Sequence, residues 1–342
     1  MANYTNRLEK LKSRRLDSIT KAFSVNESFN KKVYGENTTY ALESMEEIGA
    51  EYTNNTYKAV DKVKNQLLPG LKEYGIEVEF RCQGSVPTNT HIKLYSDIDL
   101  LTIHKRFYSL EPPLIPSIPY HGDPLADLKE LRKKTFRILD TVYTSCDIDD
   151  KGSKALTISG GSLNRKIDII SSNWYDSIKY NETNDEDYRG INILDRDNDR
   201  RLTNFPFMHI YWINYKDSLV GGNEKRVIRL LKSIKADAEL NISSYDIASL
   251  VFRMDNSYLI VDKRERLKLI ENTNQFLIKV INDNSFRDTL YVANSSRKIF
   301  CTDGAKVEDV AKLQKEVETL LLDIATELKP LFDKIEKANV YY

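Results

Sequence analysis

The sequence predicts an α+β protein, with strands gathered between residues 77 and 171 and helices on either side of them. Three observations carry this. Short β-branched, alternating runs recur in that window, helical periodicities flank it, and beyond residue 204 the chain reads almost entirely as helix. At 342 residues the chain can build two lobes, each with its own core.

In chain order, Arg7–Phe23 and Ser44–Tyr74 carry helical patterning, the second interrupted near Pro69-Gly70. Glu77–Gln83 and Ile98–His104 read as strands. Five of the nine prolines fall between Pro112 and Pro124, so that stretch reads as an extended loop. A helix follows from Pro124 to about Tyr143. Its Lys129, Arg132, Lys133, Lys134 and Arg137 form either a solvated face or a local basic patch. Ala155–Ser159 and Asn164–Ser171 read as neighbouring strands, with Gly160-Gly161 as the turn between them. Residues Asn181–Leu202 are polar and acid-rich, and the run Asp195–Arg201 reads as a solvated connection joining two lobes. The expected division is therefore 1–203 and 204–342. Near the end, Val310, Leu313, Val317, Leu320, Leu321, Ile324 and Leu328 recur at helical spacing as a buried stripe, and Pro330 should kink or restart that helix.

Composition narrows the function. Lys plus Arg equals Asp plus Glu, 51 against 51, so no global positive field draws in a nucleic-acid template. Three cysteines (Cys82, Cys146, Cys301) and four histidines are scattered, which fits a reducing compartment and leaves no zinc-ligand spacing. No signal-peptide core and no run of about 18 apolar residues is present, so a cytoplasmic protein without membrane attachment is expected.

The chemistry is concentrated in one spacing: Gln83-Gly84-Ser85, eleven intervening residues, then Asp97-Ile98-Asp99. Residues two apart on a strand share a face, so Asp97 and Asp99 stand side by side. Like charges that close are unfavourable unless a cation lies between them. Ile98 and Leu100 take the opposite face. Asp168, embedded in Ile167-Asp168-Ile169-Ile170, supplies a third acid in a strand, where acids are depleted. Read blandly, it is a strand-end acid paired to Arg165 or Lys166. Read together, Asp97, Asp99 and Asp168 can hold two Mg²⁺ ions, a role in which Mn²⁺ can substitute, and Asp168 is the candidate to deprotonate a hydroxyl. Gly84 lets the backbone approach a phosphate, and Ser85 offers a hydroxyl and an N–H, reinforced if a helix begins there.

These residues resemble the polymerase-β-type nucleotidyltransferases and, more narrowly, the bacterial cGAS/DncV-like nucleotidyltransferases (CD-NTases). Val227–Lys235 followed by Ile242–Ile247 resembles the helix–loop–helix by which that family's C-terminal lobe grips a triphosphate. The resemblance implies a mixed-sheet nucleotidyltransferase core with a helical C-terminal lobe and an active site in the cleft between them. It implies phosphate contacts from Lys232 and Ser244 and base stacking on Tyr245. Without it, Lys232 reads as a solvated helix residue and Ser243-Ser244 as a helix cap. The implied activity is synthesis of a cyclic di- or trinucleotide from ribonucleoside triphosphates with release of pyrophosphate, in anti-phage (CBASS) defence, for an effector that binds the product. Other acceptors remain open on this reading: an RNA end, an antibiotic or a protein. So does a nucleotide-binding regulator without chemistry. The zinc ribbon of animal cyclic GMP–AMP synthase is absent, so DNA sensing is not expected. The resemblance also implies that Asn339–Tyr342 is a tail open to modification.

Overall fold

The alternating segments assemble into one seven-stranded mixed sheet. The computed structural model describes residues 6–9, 11, 35–92 and 97–339. Most of the helix expected over Arg7–Phe23 and the last residues of the expected tail lie outside them. In order, the elements are α1 (Glu36–Met45), α2 (Ala50–Glu73), β1 (Val78–Gln83), β2 (Ile98–Leu110), α3 (Pro124–Val142), β3 (Asp147–Asp149), β4 (Leu156–Gly160), β5 (Leu163–Asp176), α4 (Ile178–Thr183), β6 (Gly190–Asp195) and β7 (Arg200–Asn204). Helices follow: α5 (Pro206–Leu219), α6 (Asn223–Asp237), α7 (Ser244–Phe252), α8 (Asn256–Leu259), α9 (Lys268–Asn282), α10 (Asn284–Arg287) and α11 (Val307–Asn339).

The strands run in the order β1-β2-β5-β4-β3, and β6 pairs with β5 and carries β7. Among the described residues only β2 and β5 are parallel. Long β5 accommodates two antiparallel neighbours on its other edge, β4 beside Ile167–Ile169 and β6 beside Ser172–Tyr175. Strand alternation then sorts the side chains. Ile98, Leu100, Ile167 and Ile169 pack in one core with Val60, Val63 and Leu67 of α2 and Leu128, Leu131 and Leu139 of α3. Leu101, Ile103, Ile170, Trp174, Ile191 and Ile193 form a second core on the opposite face.

The chain divides into two compact units. Ile48–His91 and Ser96–Asn214 make one, which holds the sheet. The other, helical in its described residues, draws on Met1–Glu47, Ile92–Tyr95 and Tyr215–Tyr342. Chain order was the basis for expecting a single join after residue 203. The contacts instead group α1 with the late helices, through Tyr40 Oη donating to Asp237 at 2.9 Å and Arg229 Nε donating to the Met45 carbonyl at 2.9 Å.

Three local expectations need correction. Ser44 closes α1 rather than opening a long helix, and α2 runs through Pro69 without a break. An interior proline costs about 3 kcal/mol. Leu67 and Leu71, fully buried on either side of it, offset that at about 1.5–3 kcal/mol each. Pro330 likewise lies inside α11. Residues 190–204 are a β-hairpin, not a loose connection: Ile191 and Ile193 point into the second core while Asn192 bonds Thr203 Oγ1 at 2.8 Å. The acid-rich run is its turn, where Ser153, Arg200 and Asn198 donate to Asp195 and hold its carboxyl down at about 2.

Candidate active site

Register builds the site. Gln83 of β1 lies opposite Asp99 of β2, Asp99 opposite Asp168 of β5, and Asp168 opposite Thr157 of β4. This row crosses four strands on the face that carries the second core. Asp97, one residue before β2, stands two places from Asp99 and shares that face. The structure thus brings Asp97, Asp99, Asp168, Gln83 and Gly84 into one neighbourhood.

Each acid is held differently. Thr157 Oγ1 donates to Asp168 Oδ1 at 2.6 Å, and burial pushes the Asp168 carboxyl above the usual carboxylate range. Lys166 Nζ donates to Asp97 Oδ2 at 2.7 Å. That hydrogen bond raises the Lys166 pKa, and the charges of Asp168, Asp97 and Asp99 add to it. Asp99 rests against Gly84. A Cβ there would stand 2.3 Å from Asp99 Oδ2, and Gly84 has φ +83°, so a bare Cα is required on two counts. Gln83 Oε1 is buried with no hydrogen-bond partner among the described residues.

After Gly84 the chain makes tight turns rather than a helix, so no helix N-terminus reinforces Ser85. The Ser85 carbonyl instead accepts from Thr90 N at 2.9 Å and from Thr88 Oγ1 at 3.2 Å, which fixes the loop around the glycine.

The donor set suits a hard divalent cation: carboxylate oxygens from three acids, two of them in register on adjacent strands. The side chains themselves are turned toward Lys166, Thr157 and Gly84. Among the described residues no three His, Cys, Asp or Glu groups converge on a single metal position.

Lys232, Ser244 and Tyr245 lie in the helical unit. Lys232 is 4% exposed on α6, a buried residue rather than a solvated one. Ser244 opens α7, whose cap is Ser243, its Oγ accepting from Asp246 N at 2.9 Å. Tyr245 has its hydroxyl pushed up to about 12 by burial, and the Arg297 guanidinium lies 5.5 Å from its ring centroid.

Sequence reasoning missed Thr157, and it offered Lys166 only as a partner for Asp168. The available signal was position: Lys166 is two residues from Asp168 on one strand, and Thr157 alternates with the buried Leu156 and Ile158.

No protein-family model matches the chain. Over 333 residues it is 31% identical to the cyclic dinucleotide synthase CdnE of Yersinia aleksiciae, covering 94% of this chain and 87% of that one. It is 32% identical over 360 residues to a c-di-GMP synthase of Capnocytophaga granulosa, covering 95% and 99%. The solved STING-associated CdnE c-di-GMP synthase from Capnocytophaga granulosa superposes with a TM-score of 0.76 at 30% identity, covering 95% of this chain and 99% of that one. The Rhodothermus marinus CdnE c-UMP-AMP synthase, solved with Apcpp and Upnpp, shares the fold at a TM-score of 0.65 and 16% identity, covering 83% and 96%.

The fold is that of a nucleotidyltransferase. Within that class, the chain belongs to the bacterial cGAS/DncV-like nucleotidyltransferases, the CD-NTases.

Proposed function

We propose that this enzyme joins two ribonucleoside triphosphates into a cyclic dinucleotide, with c-di-GMP the first product to test. The observation that carries the reading is the register of Asp99 against Asp168, with Asp97 two places before Asp99 and Gly84 against its carboxylate. Support for the product class comes from the relatives, one named a cyclic dinucleotide synthase and three named c-di-GMP synthases.

Asp97, Asp99 and Asp168 are the residues that would hold two Mg²⁺ ions, which when bound supply positive charge to the attacking hydroxyl and the leaving pyrophosphate oxygen. The chain's own contributions follow from the geometry. Gly84 and the turn behind it let backbone come close to a phosphate. Asp168, half-buried and steered by Thr157, takes the proton of the ribose hydroxyl as its oxygen bonds to the α-phosphorus and the bond to pyrophosphate breaks. A second such transfer closes the ring. Lys232 and Ser244 as phosphate contacts, and Tyr245 as a base platform, rest on the family resemblance alone. A product-binding effector is the expected partner, in keeping with the STING association of two solved relatives. No helix among the described residues is long and apolar enough to cross a membrane.

The test is incubation with the four ribonucleoside triphosphates and Mg²⁺, then phosphatase treatment and mass spectrometry. A phosphatase-resistant product at the mass of a cyclic dinucleotide is expected. Asp97→Asn, Asp99→Asn and Asp168→Asn should each cut pyrophosphate release by at least about 100-fold with melting temperatures close to the parent's. Undiminished release from any of the three would remove that acid from the site.

A further inference from the structure

Lys166 is a cation placed among acids that are expected to hold cations. It shares a face of β5 with Asp168 and reaches across to Asp97, the residue leading into β2, at 2.7 Å. The two side chains are 47% and 34% exposed, so this is a half-open ion pair of the kind worth about 0–1 kcal/mol. A divalent ion can displace it. The charges of Asp97, Asp99 and Asp168 all act on the ammonium, so it serves the whole row and not one partner. Three carboxylates this close repel one another without such a charge.

We infer that Lys166 is a resident counter-ion of the acid row, which divalent metal must displace from Asp97, so that metal alone binds weakly until a triphosphate arrives to take up the freed ammonium. This rests on the reading of Asp97, Asp99 and Asp168 as the metal-holding acids. The physical logic is charge. With Lys166 in place the row presents a net charge of about −2 instead of about −3 to an incoming ion, and Asp97 is already engaged. Once displaced, the ammonium swings on a flexible four-carbon stem and remains on the catalytic face, where triphosphate oxygens can accept it. Metal and nucleotide then favour each other's binding, and the site resists filling with metal alone.

The experiment is calorimetric titration of Mn²⁺ into nucleotide-free protein, comparing the parent with Lys166→Met, which keeps the stem and loses the charge, and Lys166→Arg, which keeps the charge. Lys166→Met should bind Mn²⁺ about tenfold more tightly, whereas Lys166→Arg should resemble the parent. In EDTA, Lys166→Met should melt below the parent, and added Mn²⁺ should raise its melting temperature by more. Its KM for triphosphate should rise. Parental Mn²⁺ affinity and an unchanged melting temperature in Lys166→Met would overturn the inference. If Asp99→Asn still abolished Mn²⁺ binding and turnover in that case, the catalytic reading would stand. If Asp99→Asn left both intact, the catalytic reading and this inference would fall together.

Discussion

At Gly84 the backbone takes a left-handed conformation and the Asp99 carboxylate fills the space a side chain would need. Gly84→Ala must therefore strain the turn, at about 1–2 kcal/mol, and also push Asp99 out of register with Asp168. The expected outcome is a slightly lower melting temperature with a loss of turnover of about 100-fold, since displacements near 1 Å at a reacting centre have that effect. Pyrophosphate release and thermal denaturation measured on one preparation check both. A second residue, Glu224 of α6, is fully buried, and both its carboxylate oxygens lack hydrogen-bond partners among the described residues. Burial pushes its carboxyl up to about 9 and pushes the nearby Lys216 ammonium down. The unfolded chain releases the Glu224 proton near its ordinary value of 4.5, while the folded protein keeps it to about 9. The folded state thus binds more protons across that window, and stability falls as pH rises through it. Glu224→Gln should raise the urea midpoint at pH 8 and have little effect near pH 4.5. An equal effect at both pH values would rule out a buried protonated carboxyl.

Among elements, the join between β3 and β4 depends on an arginine that the sequence offered as part of a solvated helix face or a basic patch. Arg132 of α3 is 5% exposed, and its guanidinium donates to Asp150 Oδ1 at 2.6 and 2.9 Å and to the carbonyls of Gly152 at 2.7 Å and Ala155 at 3.0 Å. It pins the segment that delivers Thr157 to Asp168. Arg132→Met should cost about 2–3 kcal/mol, read as a lower urea midpoint, because the bonds to a charged donor are lost and buried carbonyls go unpaired. The same contrast explains what could be read from residues alone. The shared face of Asp97, Asp99 and Asp168 was legible because strand alternation forces acids away from the Ile and Leu that flank them. The partner of Lys166 was not, because a lateral neighbour depends on which strands pair and in which register, and no local pattern contains that information. The 190–204 hairpin was hidden for a related reason. Its apolar signal is only Ile191, Ile193 and Leu194, and its charged turn dominates the composition around them.

On the scale of the whole molecule, balanced charge gives no long-range attraction for a polyanion, in keeping with small nucleotide substrates. Strand and helix patterning separate near residue 204, while the compact units divide at Asn214 and Tyr215. Which helices join which unit was not legible, because α1 belongs by its contacts to helices that come long after it. The sheet unit draws on residues 48–91 and 96–214, while α1 precedes all of it and Asp237, the partner of Tyr40, follows all of it. On the ribosome this sets an order of events. The strands bearing Asp99 and Asp168 can pair as soon as residue 214 has emerged, whereas α1, made earlier, has to wait for α6 before its buried face is covered. The nascent chain therefore assembles its sheet and the row of acids first and completes its helical unit afterwards, once α11 supplies Glu327 to α1 and Glu316 to Arg7.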